Sequence, residues 1–223
     1  MRLNALESLA FGSFMDRLLD SGWQRAGQAT DEPGLASFDR EEVQDVAYQL
    51  DVLWDAVFGG IKFTLLLGVR HLEVSALVSR FMGYAETGRT ATFGRSLIDL
   101  LPHISPIDVA DRWLVRSEAD VDSVTQRAAG DLDGYGLPFL RSFRNLDDVI
   151  SYLENEDRYQ MLSAHLAVAC GIAGRQAQAE DALRDYANAS QDQGGSMLRQ
   201  SQDFLSNFVQ HFGFGGEFVS RFH

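Results

Sequence analysis

The clearest pattern of hydrophobic and polar residues flanks a Gly-Gly pair near position 60. Apolar residues occupy every second position over 46–54 and again over 61–69. A period of two places these residues on one face of an extended chain, so each range is predicted to be a β-strand with one buried face. Gly59 and Gly60 supply the positive φ that a tight turn needs. The pattern therefore predicts an antiparallel hairpin centred on the two glycines.

The polar positions of the predicted hairpin form a second face, which carries candidate partner-binding residues. Strands hold side chains in a fixed register, so charged groups here would present a rigid array to a polar ligand or a charged partner loop. The alternative is that this is the solvated face of an antiparallel sheet, which is polar for no further reason. The candidate residues are Gln49, Asp51, Asp55, Lys62, Thr64 and Arg70.

Periodicity and turn residues predict the remaining elements of the first 157 residues. Apolar residues at three- and four-residue steps indicate helices, and clusters of Gly, Pro and Asp indicate loops. Asn145 is expected to cap a helix. In chain order, the expected elements are a helix over 3–20, strands over 23–27 and 35–39, the hairpin, a helix over 72–84, a loop over 86–95, a strand over 112–116, a helix over 120–129, a loop over 131–136, a turn or helix over 138–143, and a helix over 146–154.

From residue 158 onward the pattern is helical. Alanines at helical spacing on both sides of Gly174 predict two helices that pack closely as an antiparallel hairpin, and a further apolar stripe predicts a last helix. Strands grouped early and helices grouped late indicate an α+β fold, with an antiparallel sheet flanked by helices and a C-terminal helical layer. We expect residues 1–157 to form the sheet domain and residues 158–223 to pack on it as one structural unit.

The charge and hydropathy of the chain narrow the classes of partner. The 223 residues carry a formal net charge of −13, and the sequence pI is about 4.7. Nucleic-acid binding needs clustered Lys and Arg, so it is not expected. The N-terminus reads as an amphipathic helix rather than a signal peptide, and no apolar run approaches the length of a membrane span. We therefore expect a cytoplasmic protein without membrane association, whose acidic surface suits solubility or a basic partner.

Residues that could hold a metal are few and scattered. Cys170 is the one cysteine, and the five histidines show no metal-ligand spacing, so neither a metal nor a cofactor is expected. Asp131 and Asp133 precede a glycine as in a calcium loop, but the further oxygen ligands and the closing Glu are missing. Cys170 lies in an apolar helical run, where we expect it to behave as a small, inert hydrophobe.

Catalytic motifs are equally sparse. The chain contains neither a GxSxG nucleophile elbow nor a GxxxxGK[ST] phosphate loop. His71 ends the second predicted strand of the hairpin, where it could lie near Asp45 or Glu73, and this makes it an acid–base candidate. His165, on an Ala-rich helix, is expected to be a core residue.

Aromatic residues concentrate at the C-terminus. Phe204 and the phenylalanines of the tail lie off the main stripe of the last predicted helix, which leaves apolar area to bury elsewhere. Two interpretations remain open: this segment packs on the sheet of its own chain, or it forms a homodimer contact. The residues concerned are Phe204, Phe208, Phe212, Phe214, Phe218 and Phe222.

Several segments together resemble a set of uncharacterised bacterial proteins that share a domain of unknown function. The segments are LLDSGWQRAG, LASFDRE, AYQLDVLWD, GIKFTLLLGV, GLPFLRSFRNLDDVISYLE and HLAVACGIAGRQAQAEDAL. In those proteins a helix precedes a Gly-aromatic strand and a hairpin rich in Gln and aliphatic residues. The resemblance runs over most of the chain and implies a fold. It implies no activity and assigns no catalytic residue.

These observations lead to one functional expectation and two alternatives. We expect a non-enzymatic protein-binding module, of the immunity or defence-associated inhibitor type, whose acidic surface meets a basic partner protein. The first alternative is an enzyme that uses carboxylates such as Asp51 and Asp55 across an acidic pocket. The second is a structural subunit of a larger bacterial assembly.

Overall fold

The computed structural model shows an α+β protein. It describes residues 5–27, 34–84, 90–102, 105–156, 160–191 and 196–214. The nine α-helices of the described residues are α1 (Ala5–Asp20), α2 (Leu72–Phe81), α3 (Pro106–Asp111), α4 (Val121–Asp131), α5 (Leu137–Leu140), α6 (Leu146–Asn155), α7 (Gln160–Ile172), α8 (Gln176–Gln191) and α9 (Ser196–Phe212). Short 3-10 turns span Leu97–Leu100 and Glu118–Asp120, and a π-helical turn spans Leu132–Gly136. Within these ranges, no helix combines the length and the hydrophobicity that a membrane crossing requires.

The strands of the described residues form one six-stranded sheet, as the predicted fold class requires. They are β1 (Gln24–Arg25), β2 (Leu35–Val43), β3 (Val46–Val57), β4 (Gly60–His71), β5 (Phe93–Ser96) and β6 (Leu114–Val115). The order is β1-β2-β3-β4-β5, and β6 pairs with β4. The antiparallel register places Gln24 opposite Asp39, and Ile61 opposite Val115. The predicted α+β fold with an antiparallel sheet is confirmed.

The alternating apolar residues of the hairpin are buried, as predicted. The apolar positions at even numbers from 46 to 54 and at odd numbers from 61 to 69 are all buried. The turn itself differs from the prediction. It consists of Phe58 and Gly59, one position earlier than expected, and β4 already begins at Gly60. Both glycines do have positive φ, +92° and +157°, so they supply the backbone freedom that the pattern indicated.

Two predicted loops contain regular structure. The range 86–95 was expected to be a loop, but β5 begins at Phe93, and Gly94 lets it approach β4 closely, since a Cβ there would lie 2.9 Å from the Leu67 carbonyl oxygen. Residues 132–136 form a π-helical turn that continues α4 into α5. Gly136 serves packing, because a Cβ at this position would lie 2.8 Å from the Leu132 side chain. Glycines needed for close approach therefore looked like loop glycines in the sequence.

The chain divides into two compact units. The first comprises residues 1–43, 47–69 and 94–142. Here α1 packs on α4, Phe14 lies against Phe63 with ring centroids 5.5 Å apart, and Arg17 forms an ion pair with Asp122. Apolar residues of α1 recur on one side, as a helix with one buried stripe requires.

The second unit comprises residues 44–46, 70–93 and 143–223. Helices α7 and α8 pack against each other as the predicted hairpin, and α2 contacts both α7 and α9. Asn145 caps α6 as predicted, accepting a hydrogen bond from the Asp148 backbone N–H at 3.0 Å. His165 and Cys170 of α7 are buried, as the apolar run indicated. The expectation that residues 158–223 pack on residues 1–157 stays a prediction.

The aromatic residues of α9 pack within the second unit. Phe204 is fully buried, with ring centroids 5.9 Å from Phe81 and 4.6 Å from Tyr186. The expectation that Phe204 lies off the packed stripe is therefore wrong, because α2 and α8 cover a wider part of α9 than one narrow stripe. Residues 215–223, and with them Phe218 and Phe222, lie outside the described residues. The predicted homodimer contact stays a prediction.

Candidate functional site

The first two residues of the predicted binding face, Gln49 and Asp51, are buried or hydrogen-bonded within the first unit. Gln49 is only 5% exposed, so the expectation that it belongs to a solvated face is wrong. The reason is that β3 is buried on both sides at its start, where residues 46–50 are all buried. Asp51 is half-buried and accepts a hydrogen bond from the Ser37 hydroxyl at 2.6 Å. Neither residue offers a free polar group to a partner.

Lys62 forms hydrogen bonds with a helix end. Its Nζ donates to the carbonyl oxygens of Val109 at 2.8 Å and Ala110 at 2.5 Å, in the last residues of α3. Burial lowers the pKa of Lys62, and the nearby carboxylate of Asp111 opposes this shift. A cation at a helix C-terminus satisfies carbonyls that have no partner within the helix. The structure therefore gives Lys62 a structural role that its place on the polar face did not indicate.

Arg70 belongs to the second unit. Its side chain is half-buried, and its Nε has no hydrogen-bond partner among the described residues. Thr64, in the first unit, is also half-buried. Of the residues predicted from the polar face, only Asp55 is exposed. The predicted array is thus not one continuous solvated surface.

The exposed part of the hairpin is its end. Residues 55–59, which we call the hairpin tip, are all exposed. Phe58 is the extreme case, since its side chain is fully solvent-exposed, and Val57 beside it is 43% exposed. Large apolar side chains are usually removed from water, so a fully exposed Phe in a two-residue turn needs an explanation. Phe58 lies between the two alternating ranges, 46–54 and 61–69, and was therefore not among the candidate residues.

Paired backbone holds the base of the hairpin tip on both sides. On one side, β6 pairs with β4, and the backbone approaches so closely that a Cβ on Gly60 would lie 2.1 Å from the Val115 carbonyl oxygen. On the other side, the backbone N–H of Trp54 donates to the Gly34 carbonyl at 2.9 Å. The Trp54 ring is buried and stacks on Phe11 at a centroid distance of 4.1 Å. A tip built on such a base has little backbone entropy left to lose on binding.

Charged side chains of both signs lie beside the base of the tip. Lys62 hydrogen-bonds to α3, and Gly60 lies against Val115, so the segment from α3 to β6 lies beside the base of the tip. This segment carries the exposed Asp108 and an ion pair of Asp111 with Arg116 at 2.7 Å. Asp55 adds a further carboxylate on the tip itself. The base of the tip thus combines these carboxylates with the cations Lys62, Arg112 and Arg116.

The aspartate of the calcium-like segment has a different role. Asp131 is buried and accepts hydrogen bonds from Arg112 Nε and Nη2 at 2.7 and 2.6 Å, and from the Trp113 indole N–H at 2.9 Å. This interaction raises the pKa of Arg112. Both carboxylate oxygens are thus engaged by side chains of the same unit. Among the described residues, no group of three or more His, Cys, Asp or Glu could hold a metal ion.

The acid–base candidate is a helix cap. His71 precedes α2, and its Nδ1 accepts a hydrogen bond from the Val74 backbone N–H at 3.5 Å. Its own backbone N–H donates to the Thr92 hydroxyl at 2.9 Å. Burial lowers the pKa of His71, while the predicted neighbours Asp45 and Glu73 oppose the shift. The predicted proximity is confirmed, and the arrangement caps α2.

Comparison with known proteins does not assign the chain to a family. No family model, no curated protein and no solved structure matches it.

Proposed function

We propose that this protein is a non-enzymatic protein-binding module of the inhibitor type, and that the hairpin tip is its contact surface. The observation that carries the proposal is the fully exposed Phe58 at the end of a hairpin with a paired base. Burying a Phe side chain stabilises a contact by about 1.5–3 kcal/mol. Such a residue is a suitable anchor for a partner pocket.

The net charge of the chain supports a basic partner. Asp55 and Asp108 are exposed near the apolar tip, and the whole chain carries a net charge of −13. A net negative charge on the chain accelerates its encounter with a positively charged surface. We propose a cytoplasmic protein as this partner, with an apolar pocket rimmed by Arg or Lys.

Site-specific photo-cross-linking tests the proposal. The chain with p-benzoylphenylalanine in place of Phe58 is irradiated in cells of the source organism, and products are resolved by mass. We expect one discrete product heavier than the chain. The matched control places the same group at Tyr135, an exposed aromatic of the same unit that lies outside the tip. This control should give no such product.

The mass of the product separates the alternatives. A product with a different, basic protein supports the proposal. A product with the mass of two chains would replace the basic partner by a second copy. Equal labelling of many proteins from both positions, or no product from position 58, would refute the tip as a contact surface.

A further inference from the structure

The side of α1 that faces away from its buried stripe carries a second regular pattern. Residues 5, 9, 12, 16 and 19 follow one another at alternating steps of four and three. Such steps place side chains in one line along a helix, and this is the spacing by which two helices pack side by side. The five residues, which we call the outer seam, are Ala5, Leu9, Gly12, Asp16 and Leu19.

The two leucines of the outer seam are exposed to solvent. Leu9 is 47% exposed and Leu19 is 45% exposed, and they lie about 15 Å apart along the helix axis. A shallow groove of about 500 Å³ lies on this side of α1, and Leu9, Gly12 and Asp16 are among the α1 residues that line it. The seam is thus an apolar surface with a depression in its middle, which the described part of the chain leaves open.

Gly12 has no packing role within the described residues. Glycine is unfavourable inside a helix, because it loses more backbone entropy on folding than any other residue. It is useful where a neighbouring element comes too close for a Cβ, yet a Cβ on Gly12 would meet no atom within 4 Å beyond the backbone of its own helix. A glycine in the middle of the outer seam instead leaves room for a side chain from a second helix.

We infer that the outer seam pairs with the outer seam of a second copy of this chain, with the two α1 helices antiparallel. In this arrangement Leu9 of each copy faces Leu19 of the other, and Asp16 of each copy faces Gly12 of the other. One register produces both contacts, because three residues separate Leu9 from Gly12 and also Asp16 from Leu19. A surface that is complementary to itself forms a two-fold symmetric dimer. The contact does not involve the hairpin tip, so it stands apart from the proposed function.

The distribution of charge along α1 favours the antiparallel arrangement. Asp16 and Asp20 are exposed in the C-terminal half of the helix, whereas the exposed residues of its first two turns, Ala5, Ser8 and Leu9, are uncharged. Antiparallel pairing brings Asp20 close to the first turn of the other α1, where the helix dipole is positive. Parallel pairing would place Asp16 beside Asp16 and Asp20 beside Asp20, and like charges repel.

Analytical ultracentrifugation of the full chain, from low to high micromolar concentration, tests the inference. The seam spans only two heptads, so the interface is small and the dimer weak. We expect the mass to rise with concentration from the 24.8 kDa of one chain towards the mass of two. A protein that keeps the mass of one chain at high micromolar concentration would overturn the inference.

A charge placed in the seam shows whether the dimer uses it. Leu9→Glu should raise the Kd of the dimer about 10-fold or more, because each contact then buries an unpaired carboxylate. The matched control is Leu198→Glu, which makes the same change at a leucine of α9 that is 38% exposed. Its Kd should stay within a factor of about two of the wild-type value. Equal weakening in both variants, or a dimer unaffected by Leu9→Glu, would overturn the inference.

A substitution at Gly12 separates association from folding. Gln is a better helix former than Gly, and the described residues leave space for its Cβ, so Gly12→Gln should raise the denaturation midpoint at low protein concentration. The same side chain fills the space that Asp16 of the second copy would occupy, so the Kd of the dimer should rise. An unchanged or lower Kd in this variant would overturn the inference.

Discussion

Acidification should destabilise the second unit through His165. This histidine is completely buried in α7, and its Nδ1–H donates to the Met161 carbonyl oxygen at 2.8 Å. Its Nε2 is buried and has no hydrogen-bond partner among the described residues. A proton on Nε2 would create a charged donor without an acceptor in an apolar environment. Burial therefore lowers the pKa of His165 from 6.5 to about 4.

The coupling between proton binding and folding gives the sign and the size of the change in the free energy of unfolding. In the unfolded chain His165 binds a proton with its ordinary pKa of 6.5, whereas in the folded chain it does so only near pH 4. The contribution of neutral His165 to the free energy of unfolding is therefore fully present above about pH 6.5 and is lost as the pH falls towards 4. Between about pH 7.5 and about pH 4.5, this one group should remove about 2.5 kcal/mol from the free energy of unfolding. His71, whose pKa is also lowered by burial, acts in the same direction.

Chemical denaturation followed by far-UV circular dichroism measures this loss. The wild type and a His165→Leu variant are unfolded at both pH values, and the change in free energy of unfolding with pH is compared. The contribution of His71 and of all carboxylates is common to both proteins and cancels. The variant should lose about 2.5 kcal/mol less than the wild type. An equal loss in the two proteins would refute the assignment of acid sensitivity to His165.

Three further outcomes are expected of the described packing. Trp54→Ala should lower the free energy of unfolding by about 3–5 kcal/mol, because the ring is buried and stacks on Phe11; a near-wild-type denaturation midpoint would contradict this. Asp131→Ala should cost about 3 kcal/mol, because it leaves the buried Trp113 indole N–H without its acceptor; a loss below about 1 kcal/mol would mean that water replaces the carboxylate. Cys170 is buried, so thiol reagents should label it only as the protein unfolds, and fast labelling of the native protein would place it elsewhere.

The elements that local patterns specify were predictable, and their burial was predictable only in part. The alternation of apolar and polar residues identified β3 and β4, because a period of two reflects the local geometry of a strand and does not depend on the rest of the fold. Gln49 has the polar position of an outward residue, yet β3 is covered on both faces at this point, and only tertiary packing decides that. The bond from Lys62 to the end of α3 joins positions 47 and 48 residues apart. No local signal specifies such a contact.

The residues predicted as a binding face and the proposed contact surface lie on the same hairpin but on different parts of it. Asp55 was predicted and is exposed, whereas Phe58 lies outside the alternating positions from which the candidate residues were taken. A usable signal existed, since an aromatic residue directly before Gly-Gly falls in the turn rather than in the strand.

The affinity of the partner captured at position 58 tests the central claim most directly. The purified partner is titrated into the wild type, Phe58→Ala and the control Tyr135→Ala at two salt concentrations. If Phe58 is the anchor, its truncation should raise Kd about 30-fold or more, as loss of an interface hot spot of about 2 kcal/mol does, and the control should bind as the wild type does. Wild-type binding should also weaken as salt rises, because a basic partner is then screened from the net negative charge of the chain. An unchanged Kd for Phe58→Ala at both salt concentrations would contradict the account.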